Sequence, residues 1–559
     1  MIHIQINDSY ARWQATSVET PAGQTIRAWA CGYAWRDGEL MSTQALMRWA
    51  ANLLQVQPTP QQVRAELAQL NGSFSLIVRS ELALLATVDH FRSTPLFYAQ
   101  RENELMLSDQ VEPLRSWVGD QHFAPIALKE FMLTPAVTGP ETLFPHVRQL
   151  QAGEALYLTP GTRLQVQTVR HHEFILGADP GVPETELQQT LFEIFKQAIE
   201  RMLATLPANA QIVLPLSGGR DSRSIAAMLK YLAVENVLCF TYGARGDWEA
   251  EIAQEVAGRL GFPWHFVPYS RQDWRRWYQD PELHAVLRNT CQATSLPLIQ
   301  DWPAVNTLQQ SGLLTEQAVF VPGHTPVLGM IGFPERLLTA GALPASDIAN
   351  EILKKHYSRW NWQPGNQALQ EIFLQRILSV AQITSPDKMI RASCLIYPWE
   401  YPERQSKFVV NSVRVYESFG YDWRIPWWDR EILDFWLAVP PAWRKNRWLG
   451  HAMMENILFA ATNVAGLYTT NGPRGALAQP ATRKMTLATT DRIRNRLYAW
   501  SNPSLGRYSM PDFFRSWQHY QATFGNLAQS KFYLLDALTV GTSYLLKKFY
   551  SEYLPQDRP

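Results

Sequence analysis

A chain of 559 residues, 46% of them hydrophobic, is long enough for roughly two to four domains with sizeable buried cores. Its 51 Lys+Arg balance 50 Asp+Glu, and the net charge of +1 excludes a global attraction to nucleic acid or to an anionic membrane. Thirty glycines and 36 prolines are an ordinary share, which excludes collagen-like and low-complexity classes, and the 21 tryptophans point to well-packed, aromatic-rich cores or pockets.

The N-terminal stretch MIHIQINDSYARW alternates apolar and polar residues and reaches Asp8 at once, so it does not read as a signal peptide. No run of about 18 apolar residues occurs, so no membrane span is expected. Cys31, Cys239, Cys291 and Cys394 are scattered, with neither a CxxC pair nor a nearby His, which supports neither a disulfide framework nor a zinc site. The expectation is a cytoplasmic protein.

FSLIVRS (74–80), ALLATVD (83–89), PLFYAQ (95–100) and EALYLTP (154–160) are short, β-branched and aromatic, and bounded by turn residues, as strands are. His171-His172 reads as a solvated turn ahead of the Gly/Asp/Pro cluster LGADPGVPETE (176–186). Beyond it Leu187, Leu191, Ile194/Phe195, Ala198 and Met202 recur at helical spacing. The switch from period 2 to period 3.6 places a domain boundary near 178–184. QIVLPL (211–216) is then a buried-strand run, SRSIAAMLKYL (222–232) a helix and ENVLCFTYG (235–243) a strand. Ile252, Val256 and Leu260 share a helix face, and FPWHFVPY (262–269) is a third strand. This alternation predicts an α/β unit with a parallel, doubly wound sheet, and helical patterning dominates from 350 onward.

SGGRDS, Ser217 to Ser222, falls where the first of these strands gives way to a helix. Gly218 and Gly219 allow a tight turn in which successive N–H groups converge on one anion. The helix N-terminus adds partial positive charge, and Ser217 and Ser222 add hydroxyls. Asp221 would repel a phosphate unless a hard divalent cation lay between them, so it implies Mg²⁺. No Gly-Lys-Ser/Thr follows, so this is not a Walker A loop, and the spacing is not that of a dinucleotide fingerprint. SGGxDS resembles the pyrophosphate loop of ATP pyrophosphatases that form adenylates.

The resemblance extends to the asparagine synthetase superfamily. LNGSFSLIV (70–78), VDHFRSTPLFYA (88–99) and GPETLFPHVRQLQAGEALYL (139–158) look like its glutaminase-type domain, and ERQSKFVVNSVRVYESFGYDWRIPWWDREILDFWLAVP (403–439) like its helical synthetase segment. The last is most similar to members associated with surface polysaccharides. The resemblance implies an Ntn-hydrolase-like αββα sandwich over 1–178 and a PP-loop parallel sheet with a large helical part over 185–559. It implies ATP and Mg²⁺, an amide-forming ligase, and small-molecule carboxylate and amine substrates, with no nucleic acid partner and homodimerisation left open.

The departures from the family pattern matter as much. Ile2 stands where glutamine-hydrolysing members carry a nucleophilic Cys, so Asn71, Gly72 and Asp89, which match glutamine-holding positions, form a degenerate site like that of β-lactam synthetases. In FVPGHTPVLGMIGF (320–333), Pro322-Gly323 takes a Ser-Gly position beneath the adenine, and the acidic position falls on about Val327. His324 is a candidate phosphate contact in its place. A catalytic Lys of the family aligns with Arg474, with Arg447 or Lys484 as alternatives. Asp422 aligns with a carboxylate that, with a Tyr such as Tyr416 or Tyr421, removes a proton from the attacking amine. Leu216 and Tyr242 are expected to flank the adenine at the strand ends. Glu403, Arg404, Arg424 and Asp429 read as a buried ion-pair lattice. The segment 480–559 holds 11 Lys/Arg against 5 Asp/Glu, and 533–554 reads as an amphipathic helix packed on its own domain. The leading reading is an ATP-dependent ligase acting on a sugar-acid carboxylate. A peptide or amino-acid cyclase of the β-lactam synthetase or lasso cyclase type, and a non-catalytic nucleotide-binding scaffold, are the alternatives.

Overall fold

The computed structural model describes residues 1–7, 13–19, 25–81, 83–158, 166–174, 181–324, 333–334, 336–337, 341–357, 366–444, 447–467, 545–546 and 548–554. Arg474, Lys484, Val327, residues 178–180 of the stretch 178–184 and the first part of 533–554 are not among them.

The N-terminal part is a two-sheet sandwich with helices outside both sheets. One sheet has the order β1 (Ile2–Gln5), β8 (Glu104–Ser108), β7 (Phe97–Arg101), β9 (Val147–Gln149). The other runs β11 (Gln167–Arg170), β10 (Glu154–Leu158), β6 (Leu84–Val88), β5 (Asn71–Arg79), β3 (Thr25–Arg36), β2 (Gln14–Glu19), with β4 (Glu39–Met41) hairpinned on β3. Ile77, Leu84, Ala86, Val88, Leu105, Leu107 and Leu156 fill the space between the sheets. Alternate residues of the same strands, Leu76, Val78 and Leu85, meet Leu46, Ala50 and Leu54 of α1 (Thr43–Gln55) and Val63 of α2 (Pro60–Leu67). Period-2 alternation thus fills both layers. α1 starts at Ser42, whose hydroxyl accepts from Ala45 N at 3.3 Å, and α2 at a Thr59/Gln62 capping box. α3 (Val111–Val118) and α4 (Pro125–Leu133) lie on the outer side of the first sheet. This is the expected αββα sandwich.

α5 (Glu184–Leu203) buries Leu187, Leu191, Phe195, Ala198 and Met202, the face its spacing predicts. β12 (Gln211–Pro215), β13 (Val237–Gly243) and β14 (Trp264–Pro268) alternate with α6 (Arg220–Tyr231) and α7 (Trp248–Leu260). With β15 (Ala318–Phe320) and the short strand Asp422–Trp423 they form a five-stranded, all-parallel sheet in the order β14-β13-β12-β15-Asp422–Trp423. The helical remainder includes a ten-residue π-helix, Glu400–Val409, with Pro398 and Pro402 around its start. Each proline removes a main-chain donor and loosens the α-helical register there.

Three of the four residues expected to form an ion-pair lattice do so, with Glu403 also tying the two halves together, while Arg404 lies over the Phe408 ring at 4.1 Å instead. Lys407 Nζ binds Glu403 at 2.6 Å and the Gly139 carbonyl at 2.5 Å, while Gly139 N donates to Glu403 at 3.0 Å. Asp429 takes Arg201, and Arg424 takes Asp422. His171-His172 overturns the solvated-turn expectation. His171 is 7% exposed and bonds the Val88 carbonyl at 2.9 Å, and His172 packs against His90 and Phe174. Two polar residues in sequence carry no sign of the β6 main chain, His90 and Phe174 that close over them. The described end of 533–554 packs on both halves and not on its own domain alone: Phe549 meets His284 at 5.5 Å, while Tyr550 and Tyr553 meet Phe123 of the N-terminal half, whose N donates to the Tyr553 carbonyl at 3.1 Å.

Candidate active site

The C-terminal ends of β12, β13 and β15 surround a cavity of about 380 Å³, the position where open α/β sheets bind ligands. Ser217, Gly219, Asp221 and Ser222 line it together with Tyr242, Asp301, Pro322, Gly323, His324, Arg447 and His451. The hexapeptide therefore forms the floor of a site to which distant segments contribute walls.

The turn is held from within and from behind. Ser217 N donates to Ser222 Oγ at 3.0 Å, and Gly219 N to Ser217 Oγ at 3.2 Å. Gly219 is the N-cap of α6 and has no side chain to satisfy the first-turn N–H groups, which leaves that turn suited to an anion. Arg223, fully buried, donates to the Gly218 carbonyl at 3.0 Å and lies over Phe459. Gly323 approaches so closely that a Cβ there would sit 2.6 Å from Ser222 N. Pro322-Gly323 thus packs on the loop backbone itself, a contact only glycine allows.

Asp221 is the carboxylate of the turn. Burial raises its pKa, while Arg447 and Arg220 pull it back. Arg447 Nη1 lies 3.6 Å from Asp221 Oδ2, and Arg220 is tied to Glu455 at 3.1 Å. No group of three or more potential metal ligands occurs among the described residues. Asp221 is the carboxylate that would hold Mg²⁺, which takes one or two protein carboxylates when phosphate oxygens and water complete its shell. His324, the candidate phosphate contact, has its pKa driven by burial down to about 4 and shares its Nε2 with Ser412 Oγ at 2.9 Å. It lines the cavity as a neutral hydrogen-bonding group and not as a cation.

Asp301 is the residue that sequence reasoning missed. It precedes the helix Trp302–Gln310 but makes no capping bond. Instead it accepts one short hydrogen bond from Tyr242 and another from Tyr416. Burial pushes its pKa up against the two phenols, which pull it down. The pKa of Tyr416 is held well above its usual value by burial and by Asp301. Tyr242 stacks on Tyr269 at 4.9 Å and Tyr416 on Phe320 at 4.3 Å, fixing both rings. A carboxylate between two phenols at a cavity wall is a proton-handling group by its chemistry.

Two expected members lie elsewhere. The Leu216 side chain is 1% exposed and belongs to the core, not the cavity lining, although Tyr242 does line it. Asp422 is also outside. Its strand runs parallel to β15 with Asp422 opposite Val319, one residue before the C-terminal end that faces the cavity. The carboxylate pairs with Arg424 at 2.7 Å, is 44% exposed, and lines a separate cavity with Tyr33, Thr205 and Tyr421. The continuation of that strand reaches the loop instead: Trp427 Nε1 donates to the Asp221 carbonyl at 3.2 Å.

The three glutamine-site positions are engaged in structure. Asn71 Nδ2 donates to Asp429 Oδ1 and its Oδ1 accepts from Arg430 N, both at 3.0 Å. Asp89, fully buried, accepts from the main chain of Phe74 at 2.9 Å, Phe91 at 2.9 Å and Ser93 at 3.2 Å. Gly72 lies so close to β3 that a Cβ would be 2.3 Å from the Tyr33 carbonyl oxygen. The space beside Asn71 and Gly72 is about 30 Å³, lined by residues that include Trp428 and Asp429 but no cysteine. That is room for about one water.

Two family models match consecutive parts of the chain: a glutamine amidotransferase domain over residues 60–168 and asparagine synthase over residues 191–299. The glutamine-hydrolysing asparagine synthetase 1 of Bacillus subtilis (strain 168) is 23% identical over 198 residues, which are 35% of this chain and 30% of that protein. Among solved structures, the glutamine phosphoribosylpyrophosphate amidotransferase of B. subtilis is similar at 12% identity, with 56% of this chain and 65% of that one covered and a TM-score of 0.21. The NH3-dependent NAD synthetase of Campylobacter jejuni subsp. jejuni is similar at 16% identity, with 29% and 62% covered and a TM-score of 0.17.

Proposed function

We propose that the chain, which resembles the asparagine synthetase superfamily in both matched domains, is an ATP-dependent amide-forming ligase without glutaminase activity. In this reading a substrate carboxylate attacks the α-phosphorus of ATP, pyrophosphate leaves, and an amine or ammonia displaces AMP from the acyl adenylate. The observation that carries the proposal is the union of the Ser217–Ser222 turn with a proton-handling group, Asp301 with Tyr242 and Tyr416, in one cavity.

In the proposed reaction the turn N–H groups, Ser217 and Ser222 hold the phosphates. Mg²⁺, held by Asp221, would neutralise their charge. Arg447, which lines the cavity with Arg220, is placed to stabilise the leaving pyrophosphate, a role also open to Arg474. Tyr242, on its Tyr269 support, offers a face to the adenine. Asp301, which lines the cavity beside Tyr242 and is held by Tyr416 from behind, accepts the proton that the attacking amine loses. The acid substrate is assigned to sugar acids of surface polysaccharides on the resemblance of 403–439 alone. The absence of glutaminase is supported by the engaged Asn71 amide and by a space beside it of only about 30 Å³.

The test is product analysis. ATP incubated with Mg²⁺, candidate acids and an ammonium or amine donor should give AMP and pyrophosphate in equal amounts. ADP and phosphate, or tight ATP binding with no AMP under any acid–amine pair, would count against the ligase and for a nucleotide-binding scaffold.

A further inference from the structure

We propose that His451 is a phosphate-contacting residue of the reaction, donating an imidazole N–H to an oxygen of the pyrophosphate that leaves. The assignment rests on the ligase reading above and adds to it a group from outside the loop.

Arg447, at an N-cap, and His451, Glu455 and Phe459 stand four residues apart along the helix Trp448–Met453 and the π-helix Met454–Phe459 that continues it. Residues at that step share one face. The face meets α6 where the loop ends. Arg447 Nη1 lies 3.6 Å from Asp221 Oδ2, Arg220 Nε donates to Glu455 Oε1 at 3.1 Å, and the Arg223 guanidinium lies 5.4 Å over the Phe459 ring. Three of the four positions are thus matched by residues at the start of α6. His451, between Arg447 and Glu455, is the exception. Its imidazole makes no hydrogen bond, ion pair or ring contact with any described residue, and it lines the cavity with Arg220 and Arg447.

The partner that His451 lacks in the protein is supplied by the ligand. Arg220 and Arg447 are the arginines of the cavity lining, and the α6 N-terminus draws anions to the same side. The phosphate end of a nucleotide therefore lies against this wall, and Tyr242 is left for the base. His324, the other imidazole of the lining, already shares its Nε2 with Ser412 Oγ at 2.9 Å. Burial, Arg220 and Arg447 hold the His451 pKa at about 4, so its ring meets the phosphates neutral and with one N–H to donate. A neutral donor orients the departing group without the added grip of a third cation, which would hold product as firmly as reactant.

The experiment uses the full chain and two probes, inorganic pyrophosphate with Mg²⁺ and AMP, each titrated by calorimetry. His451→Ala should weaken pyrophosphate binding about tenfold, the loss of one hydrogen bond to a charged group, and AMP binding less than about threefold. His451→Gln, which keeps a neutral donor, should recover most of the difference, a response that lost packing would not give. His451→Leu keeps bulk without a donor. It should match the Ala variant, and it decides the matter if that variant does not fold. Unchanged pyrophosphate affinity in the Ala and Leu variants would overturn the assignment. So would equal losses for pyrophosphate and AMP, or a Gln variant no better than the Leu one. A parent that binds pyrophosphate through His451 yet forms no AMP from ATP with any acid would strike the ligase reading and leave this contact standing.

Discussion

Asp221 and Arg447 face each other across the loop cavity at 3.6 Å, the only ion pair of the Asp221 carboxylate among the described residues. The pair is loose, longer than a charge-assisted hydrogen bond, and it leaves the carboxylate open on the cavity side. A metal ion arriving with the phosphates would compete for the same oxygen. Asp221→Asn should therefore reduce ATP affinity about tenfold or more at saturating Mg²⁺ and shift the melting temperature little. Calorimetry giving equal affinity for both proteins would exclude a metal role for Asp221.

Asp301 should separate binding from turnover. Its substitution by Asn keeps the shape and the acceptor for one phenol but removes the base. Acyl transfer should fall about 100-fold while ATP·Mg²⁺ affinity stays within a few-fold. Tyr416→Phe should reproduce part of that loss. A variant with unchanged AMP formation would reduce the Tyr242–Asp301–Tyr416 cluster to a packing device.

The turn was legible in the sequence because everything it needs is local: a strand end, two glycines, a carboxylate and a helix start within six residues. Asp301 was not. An Asp directly before a helix reads as an N-cap, and what makes it chemical is Tyr416, 115 residues away, brought in by a strand addition that no periodicity announces. Asp422 failed for a related reason. Aligning residue types gives its position along the chain, whereas the parallel register with β15 decides which end of the sheet it occupies. The layers themselves were legible, since period-2 strands and period-3.6 helices choose their buried faces by composition.

The buried histidines carry a pH signature. Burial holds the His171 pKa at about 4, against about 6.5 in an unfolded chain. The native ring is neutral, and the unfolded one takes up a proton as pH falls below about 6.5. Its contribution is thus present at neutral pH and is lost as pH drops from 6.5 toward 4. Asp89, raised by burial to about 6, works in the opposite direction, as do Glu130 and Glu154. The net acid response mixes both signs, and a difference measurement isolates one. In His171→Asn the slope of unfolding free energy with pH between 4.5 and 6 should fall by on the order of 1.4 kcal/mol per pH unit. Urea titrations at four pH values read this directly, and parallel slopes would contradict a buried neutral His171.

Asn71 should prove to be a fastener between the halves. Asn71→Ala strips partners from both Asp429 and Arg430 N in a part-buried setting. A loss of about 1–3 kcal/mol is expected, with ATP affinity unchanged. Glutamate release from glutamine should be undetectable in the parent and the variant alike. Release from the parent that any substitution at Asn71, Gly72 or Asp89 abolishes would restore a glutaminase.

The last expectation concerns the N-terminal half as a whole. Phe91, Phe97, Phe123, Leu128 and Phe131 belong to the same continuous apolar core as α5, β12 and the helical part. The polar links across it are buried as well. Glu130, fully buried, takes Arg376 at 2.6 Å and Tyr357 at 2.7 Å, and Lys407 reaches the carbonyls of Val137 and Gly139. Removing residues 1–175 would expose that apolar surface, strip Arg376 of Glu130, and leave the Lys407–Glu403 pair without the main-chain groups of Val137 and Gly139. An unpaired buried charge costs several kcal/mol on top of the exposed area. Proteolysis within 176–184 should therefore yield two fragments that stay associated in size-exclusion chromatography. The segment 185–559 expressed alone should aggregate, and co-expression with 1–175 should rescue it. A soluble, monodisperse 185–559 that binds ATP normally would show the sandwich to be dispensable and this packing argument to be wrong.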